Sequence, residues 1–336
     1  FGLTWHPHRH IDFRYDDTHP LAGSHHQKIV VIDDRLAFSG GLDLTNKRWD
    51  TREHAADDPR RVFDGSPYPP FHDVMVAVDG DAAAALAGIA RKRWLGATGE
   101  YLEPVRIRAD PWPAEMDVAI EASKVAIACT APACEGAGGV NHVERLYLDM
   151  IARAKRYIYI ENQYFTSDSI ADALRRRLEE PGGPEIVLVT RLLSHGWLEE
   201  NTMTTLRNKL VRQLRDADPH GRLRVLYPHR AGLAEGTCVD LHSKVMIVDD
   251  EWLRVGSSNL SKRSMGMDTE CDVTVEAGGD ARVSRAIRRF RDDLLAEHSG
   301  VPAEAMAREV QAAGALWPAI RKAGGEERAL RELDAP

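Results

Sequence analysis

The sequence has no long hydrophobic run. Its longest apolar stretch, 82–90, is short and rich in alanine and glycine, well below the roughly 18 consecutive apolar residues that a membrane-spanning helix requires. Any membrane contact is therefore expected to be peripheral, with no transmembrane segment. Cysteine is scarce: Cys129, Cys134, Cys238 and Cys271 are too few for a disulfide scaffold and lack the paired CxxC spacing of a zinc site, so the redox compartment stays open. An excess of positive charge is also missing. The formal net charge of −8 argues against a chain whose main business is coating nucleic acid, although a local basic pocket can sit inside an acidic whole. Lysine is rare as well, nine of 44 basic residues, so each lysine is an uncommon choice. What is present, 43% hydrophobic and 29% charged residues over 336 positions, describes a globular chain of one large domain or two ordinary ones.

The chain contains an internal repeat. His26, Lys28 and Asp33 recur as His242, Lys244 and Asp249 at a constant offset of 216, and the register runs unbroken through Gly40/Gly256, Asp43/Asn259 and Leu44/Leu260. A second strand pair follows at offset 197, residues 72–79 against 269–276, leaving a 19-residue insertion between Asn46 and Phe71 that reads as loop. Backwards, residues 1–9 resemble residues 222–230, a strand ending in Pro-His-Arg. Ahead of residue 222 the second half has a helix near 143–155, a strand over 157–164, a helix near 170–180, a strand over 185–190 and a helix near 198–215. The first half has no counterpart, so about 80 residues are expected to be missing from it by this internal yardstick. Residues 1–10 carry no basic or apolar leader pattern, and nothing in the sequence fixes a compartment.

Alternating helices and strands predict an α/β fold of two duplicated, pseudo-twofold sandwich lobes, the first without its N-terminal αβαβ elements. The expected divisions are residues 1–110 for the first lobe and connecting segment, 111–280 for the second lobe, and 281–336 for a tail of surface helices packed on the second lobe. In each repeat a β-branched run follows the His/Lys pair, so the pair starts a buried strand and points to one face. Asp33 and Asp249, five residues beyond the lysine, point to the other face and read as structural. Two facing His/Lys pairs supply what phosphodiester cleavage needs: a nucleophile, an acid for the leaving oxygen, and cations for the phosphate oxygens.

These motifs, with residues 40–51, 70–74, 157–165, 256–259 and 263–265, resemble the phospholipase D superfamily, and more narrowly the transphosphatidylase type of eukaryotic enzymes and bacterial relatives. The similarity covers nearly all of residues 1–277. It implies a ping-pong reaction on phospholipid head groups, with His26 as nucleophile through a phosphohistidine, His242 as general acid and base, and Lys28 and Lys244 holding the phosphate. It further implies that Asn259 donates its amide to phosphate, that Ser257 and Asp43 belong to the substrate-binding set, and that an acid on the next strand buttresses each imidazole. By position those acids are Asp73 for His26 and Glu270 for His242. Asp43 cannot donate when ionised, so it is expected to orient a neighbour. The implied partners are a phospholipid at a membrane surface and a water or alcohol acceptor, with no cofactor and no metal.

Other readings stay open at this point. His6, His8 and His10, with His25 nearby, could form a metal site or line the cleft rim. Glu161, Asn162 and Gln163 could bind a head group or be ordinary strand-end polar residues. Trp197, Tyr68 and Phe71 could touch lipid or serve as packing anchors. The competing functions are a phosphodiesterase acting on nucleic acid or another diester, a cardiolipin-synthase-like phosphatidyl transfer, and a lipid-binding module without activity.

Overall fold

The computed structural model describes residues 8–105, 111–121, 123–134, 138–193 and 197–334. The first half supplies β1 (Ile29–Ile32), β2 (Leu36–Gly40), β3 (Val62–Phe63), β4 (Ser66–Pro67), β5 (Phe71–His72), β6 (Met75–Asp79) and α1 (Gly80–Thr98). The second supplies β7 (Lys124–Ala131), β8 (Val140–Asn141), α2 (His142–Arg153), β9 (Tyr157–Asn162), α3 (Asp168–Glu179), β10 (Glu185–Val189), α4 (Trp197–Asp216), β11 (Leu223–Arg230), β12 (Asp240–Leu241), β13 (Lys244–Val248), β14 (Trp252–Gly256), α5 (Lys262–Gly266) and β15 (Glu270–Glu276). The tail adds α6 (Ala281–Ser299), α7 (Ala303–Ala313), α8 (Leu316–Ala323) and β16 (Arg328–Glu332).

A nine-stranded sheet, ordered β16-β11-β10-β9-β13-β14-β15-β7-β8, forms the second half's backbone. Its β9, β10 and β11 are parallel, and β13, β14, β15 and β7 are antiparallel. The runs in β10 and β13 are continuously apolar because helices cover both faces. One apolar layer joins the sheet to α2, α3 and α4 through residues such as Met150, Leu174 and Leu214. The opposite layer joins it to the tail helices through Ile287, Leu295, Met306 and Ile320. The tail is thus more than surface helices: α6 buries Ile287, Leu294 and Leu295, and β16 pairs antiparallel with β11 as the sheet's edge.

Among the described residues the first half forms a three-stranded sheet, β1-β2-β6, packed through Ala37, Val78 and Leu86 against Cys271 and Val273 of the second half. The repeat is visible in space. β1–β2 and β13–β14 are hairpins whose turns hold Asp33 and Asp34 (φ 51° and 59°) and Asp249 and Asp250 (φ 57° and 61°) in the left-handed region, which aspartate tolerates better than most residues. In both halves the second turn residue is tied to the helix that follows, Asp34 to Arg91 at 2.5 Å and Asp250 to Arg291 at 2.7 Å. The first turn residues differ. Asp249 accepts the backbone N–H groups of Lys155, Arg156 and Tyr157 at 2.6, 2.8 and 2.9 Å, anchoring the start of β9, whereas Asp33 is exposed.

Candidate active site

His26 and His242 stand just ahead of β1 and β13, and both strand starts lie where the two halves meet. A bridge joins His25 to Thr269, and β5 pairs in parallel with β12. The His26 N–H donates to Thr269 O at 3.0 Å, and the His242 N–H donates to His72 O at 2.8 Å. Each catalytic-motif histidine is therefore bonded, through its backbone, to the residue that precedes the other half's acid. The side chains follow. His26 Nδ1 lies 3.0 Å from both Glu270 oxygens, and His242 Nδ1 lies 2.8 Å from Asp73 Oδ2.

This corrects the expected pairing. Sequence position put each acid beside the histidine of its own half, Asp73 with His26 and Glu270 with His242; the strands exchange partners across the lobe boundary, so the pairs are His26–Glu270 and His242–Asp73. A carboxylate on Nδ1 fixes the ring's orientation and leaves Nε2 for chemistry, and neither Nε2 has a protein partner among the described residues. Both lysines fold back alike: Lys28 Nζ donates to His26 O at 2.7 Å, and Lys244 Nζ donates to His242 O.

The two pairs differ in electrostatics. Burial opposes ionisation of Glu270, but hydrogen bonds from His26 and the Ser257 hydroxyl outweigh it and keep the carboxyl below its usual range. Burial pushes Asp73 up to about 7, against the pull of Lys244. Burial, aided by the Lys244 ammonium, holds His242 well below the ordinary imidazole value. Lys244, wholly buried, is itself pushed down to about 8 by burial and by Lys28, despite Asp73. Burial thus disfavours charge on both members of the Asp73–His242 pair.

Asp43 makes an ion pair with Lys28 at 3.1 Å. Burial would raise its carboxyl, but Lys28 and the two imidazoles overcome this and lower it. Ser257 does not meet the expectation of substrate contact: it is fully buried, donates to Glu270 and accepts from the Cys271 N–H at 3.0 Å. Asn259 lines a cleft of about 410 Å³ with His26, Tyr164 and Thr166; Met203, Leu206 and Leu210 of α4 give it an apolar wall, and Lys209 and Lys262 stand along it. His26 is the more accessible of the two, its side chain 25% exposed against 8% for His242.

The alternatives also find their places. Glu161 and Asn162 are fully buried, which rules out a head-group contact in this structure. Asn162 Oδ1 accepts the Leu260 N–H at 3.0 Å. Phe71 packs its ring on His242 at 5.6 Å with Arg48 on it at 4.9 Å, and Tyr68 donates to Trp49 O; both are anchors. The Trp197 side chain and His6 lie outside the described residues. His8 and His10 are exposed, their rings tilted against each other at 5.3 Å, while His25 turns to Asp16 at 3.1 Å.

Residues 9–177 match the family described as phospholipase D, and residues 147–294 match the family described as cardiolipin synthase, PLD-like domain. The chain belongs to the phospholipase D superfamily. Phospholipase D A of Dictyostelium discoideum is 26% identical over 352 residues, spanning 84% of this chain and 27% of that protein. Phospholipase D alpha 3 of Arabidopsis thaliana is 27% identical over 362 residues, spanning 74% and 44%. This phospholipase D-superfamily chain therefore spans less than half the length of these relatives. Similar solved structures include Nuc from Salmonella typhimurium (TM-score 0.36, 18% identity, 51% of this chain and 92% of that one) and the phosphatidylserine synthase of Haemophilus influenzae Rd KW20 (TM-score 0.41, 13% identity, 65% and 46%).

Sequence reasoning missed a buried cluster behind the histidines of this superfamily member, built from His72, Glu161, Ser243, Glu297 and His298. The one available signal was that Ser243 sits between His242 and Lys244, and His72 directly before Asp73. Among the described residues no helix is long and apolar enough to cross a membrane.

Proposed function

We propose that the protein cleaves the head-group phosphodiester of glycerophospholipids and passes the phosphatidyl group to water or an alcohol. The observation that carries this reading is the pair of imidazoles, each held at Nδ1 by a buried acid of the opposite half and each with an ammonium two residues away. The more exposed His26 attacks phosphorus through Nε2; the P–O bond to the head group breaks, and the leaving alkoxide takes the Nε2 proton of His242 in its imidazolium form. His242, now neutral, accepts the proton of the incoming water or alcohol, whose oxygen displaces His26 from phosphorus. Lys28, Lys244 and the Asn259 amide neutralise the phosphate oxygens as charge builds. An arriving phosphate also supplies the negative charge that favours protonation of His242, offsetting the burial that disfavours it. The apolar wall at Met203, Leu206 and Leu210 suits an acyl-glycerol moiety, and the −8 net charge does not suit a nucleic-acid backbone. The test is choline release from phosphatidylcholine vesicles, which is expected to vanish in His26→Ala and in His242→Ala. Undiminished turnover by His242→Ala in EDTA would refute the two-histidine scheme, and nicking of plasmid DNA faster than lipid turnover would move the substrate to nucleic acid.

A further inference from the structure

Behind the catalytic histidines the two halves meet on a single oxygen atom. Glu161 Oε2, at the end of β9, accepts His72 Nε2 at 2.8 Å from the first half and the Ser243 hydroxyl at 2.6 Å from the second. His72 directly precedes Asp73, and Ser243 directly follows His242, so the residues on either side of the Asp73–His242 hydrogen bond are bound to the same carboxylate. The His242 N–H on His72 O and the Asp240 N–H on Pro70 O, both 2.8 Å, close the contact from the backbone side.

The cluster is densely bonded, although His298 Nδ1 is buried without a partner among the described residues. His72 Nδ1 lies 2.8 Å from Glu297 Oε1 on α6, so both ring nitrogens face carboxylate oxygens and both must donate, which only the imidazolium can do. Burial opposes that charge, but Glu161 and Glu297 outweigh it and hold His72 up to about 10. The other Glu161 oxygen accepts Tyr159 OH at 2.6 Å and His298 Nε2 at 3.0 Å. Each carboxylate has its own cation: His72 for Glu161, Arg52 for Glu297 at 2.7 Å, and Arg61 for the adjoining Asp50 at 3.0 Å. This densely hydrogen-bonded buried network, in which His54 also spans Asp50 and Glu297 at 2.8 and 3.1 Å, favours one arrangement, because each partner removed strands another.

We propose that Glu161, gripped by His72 from one half and by Ser243 from the other, is a clasp that fixes the spacing of the halves at His242 and so positions this histidine against Asp73. His72, Glu161 and Ser243 are positioning residues. The inference rests on reading His242 as a group that acts in the reaction.

The experiment compares Ser243→Ala, Ser243→Thr, His72→Gln and the double variant Ser243→Ala/His72→Gln by diester kinetics and by an NMR titration of the His242 ring. Ser243→Ala is expected to lower kcat about tenfold with KM within twofold, and Ser243→Thr to restore it. His72→Gln is expected to cost about a hundredfold, and the double variant no more, because both groups act through one oxygen. The His242 midpoint is expected to rise by about one pH unit in Ser243→Ala as water enters. Asp73, Lys244, Asp240, Asp43, Arg48 and His72, the charged groups around His242, are all retained in Ser243→Ala, so its shift reads hydration. A folded Ser243→Ala protein with unchanged kcat and an unchanged His242 midpoint overturns the clasp. If His72→Gln does not fold, Ser243→Ala decides. If the wild-type protein turns over no phosphodiester, the functional reading fails, and the NMR midpoint alone then supports or overturns the clasp.

Discussion

Gly41→Ala is expected to disable the second histidine without touching it. Gly41 follows β2 and lies against Asp73: a Cβ built there would sit 2.1 Å from Asp73 Oδ1 and 2.9 Å from the His242 carbonyl oxygen. The carbonyl belongs to the interface backbone and is fixed by its hydrogen bond from Lys244, so the carboxylate must yield. Restoring a 3.4 Å contact requires Asp73 to retreat by roughly 1.3 Å, which takes the 2.8 Å bond to His242 beyond hydrogen-bonding range. A displacement of about 1 Å at a catalytic constellation costs on the order of a hundredfold, or about 2.7 kcal/mol of barrier. The repeat supplies a control, because Ser257 occupies the position equivalent to Gly41 and its hydroxyl holds Glu270. Ser257→Gly removes the hydroxyl's bonds with Glu270 and the Cys271 N–H without a clash and is expected to cost about tenfold, acting through His26. The assay is kcat for head-group release at saturating lipid, with circular dichroism and thermal unfolding to confirm the fold. A folded Gly41→Ala enzyme within threefold of wild-type kcat would refute the argument that Asp73 controls His242.

Three more expectations concern the pairs and the hairpin turns. Glu270→Gln should shift the ring NMR resonances of His26 and leave those of His242 nearly untouched, while Asp73→Asn should do the reverse; the opposite assignment would sink the crossed pairing. Lys244, with its amine lowered to about 8, should lose its charge above that pH, so KM for the diester should climb about fivefold from pH 8 to pH 9, and a flat KM up to pH 10 would contradict this. The same depressed value means that between about 8 and 10.5 the unfolded chain binds the extra proton, so this group's contribution to stability grows as pH rises through that window. Both Asp249→Ala and Asp33→Ala place alanine at a left-handed turn position and should each cost about 1 kcal/mol in urea unfolding, but Asp249→Ala should cost about 1–2 kcal/mol more through the N–H groups it leaves at the start of β9. Equal costs at the two turns would argue against the anchoring role.

What the sequence revealed was what duplication makes redundant. The His/Lys pairs, the hairpins behind them and the α/β alternation of the second half occur in register or at clear periodicity. The crossed acids were hidden because offsets of 216 and 197 describe two copies equally well whether partners pair within a half or across it; only the way the halves dock decides. Glu161 was ambiguous for a related reason. A polar residue at a strand end is ordinarily solvated, and its partners His72, Ser243 and His298 lie 89, 82 and 137 positions away, beyond the reach of any local pattern. The edge strand β16, rich in arginine and glutamate, carries no apolar signal strong enough to separate it from a helical tail.

The crossing of the pairs has a consequence for how such a site holds together. With Glu270 serving His26 and Asp73 serving His242, neither half contains a complete histidine-acid unit, so the reactive geometry is a property of the contact between them. That contact is small at the backbone level, a two-residue parallel pairing of β5 with β12 and a single bridge from His25 to Thr269. Ladder pairing of this length cannot by itself hold two imidazoles to a fraction of an ångström. The deficit is met by side chains that cross the same boundary: the two histidine-acid bonds, the Ser24 N–H and Asp268 at 2.9 Å, and the Glu161 cluster with its link to α6. Buried charge thus gathers at this boundary, where loss of register would cost the reaction most, as it also does within the second half at Arg254–Asp272 and Arg291–Asp250, and α6, which begins after the last repeat strand, is linked to the boundary through Glu297 and His298.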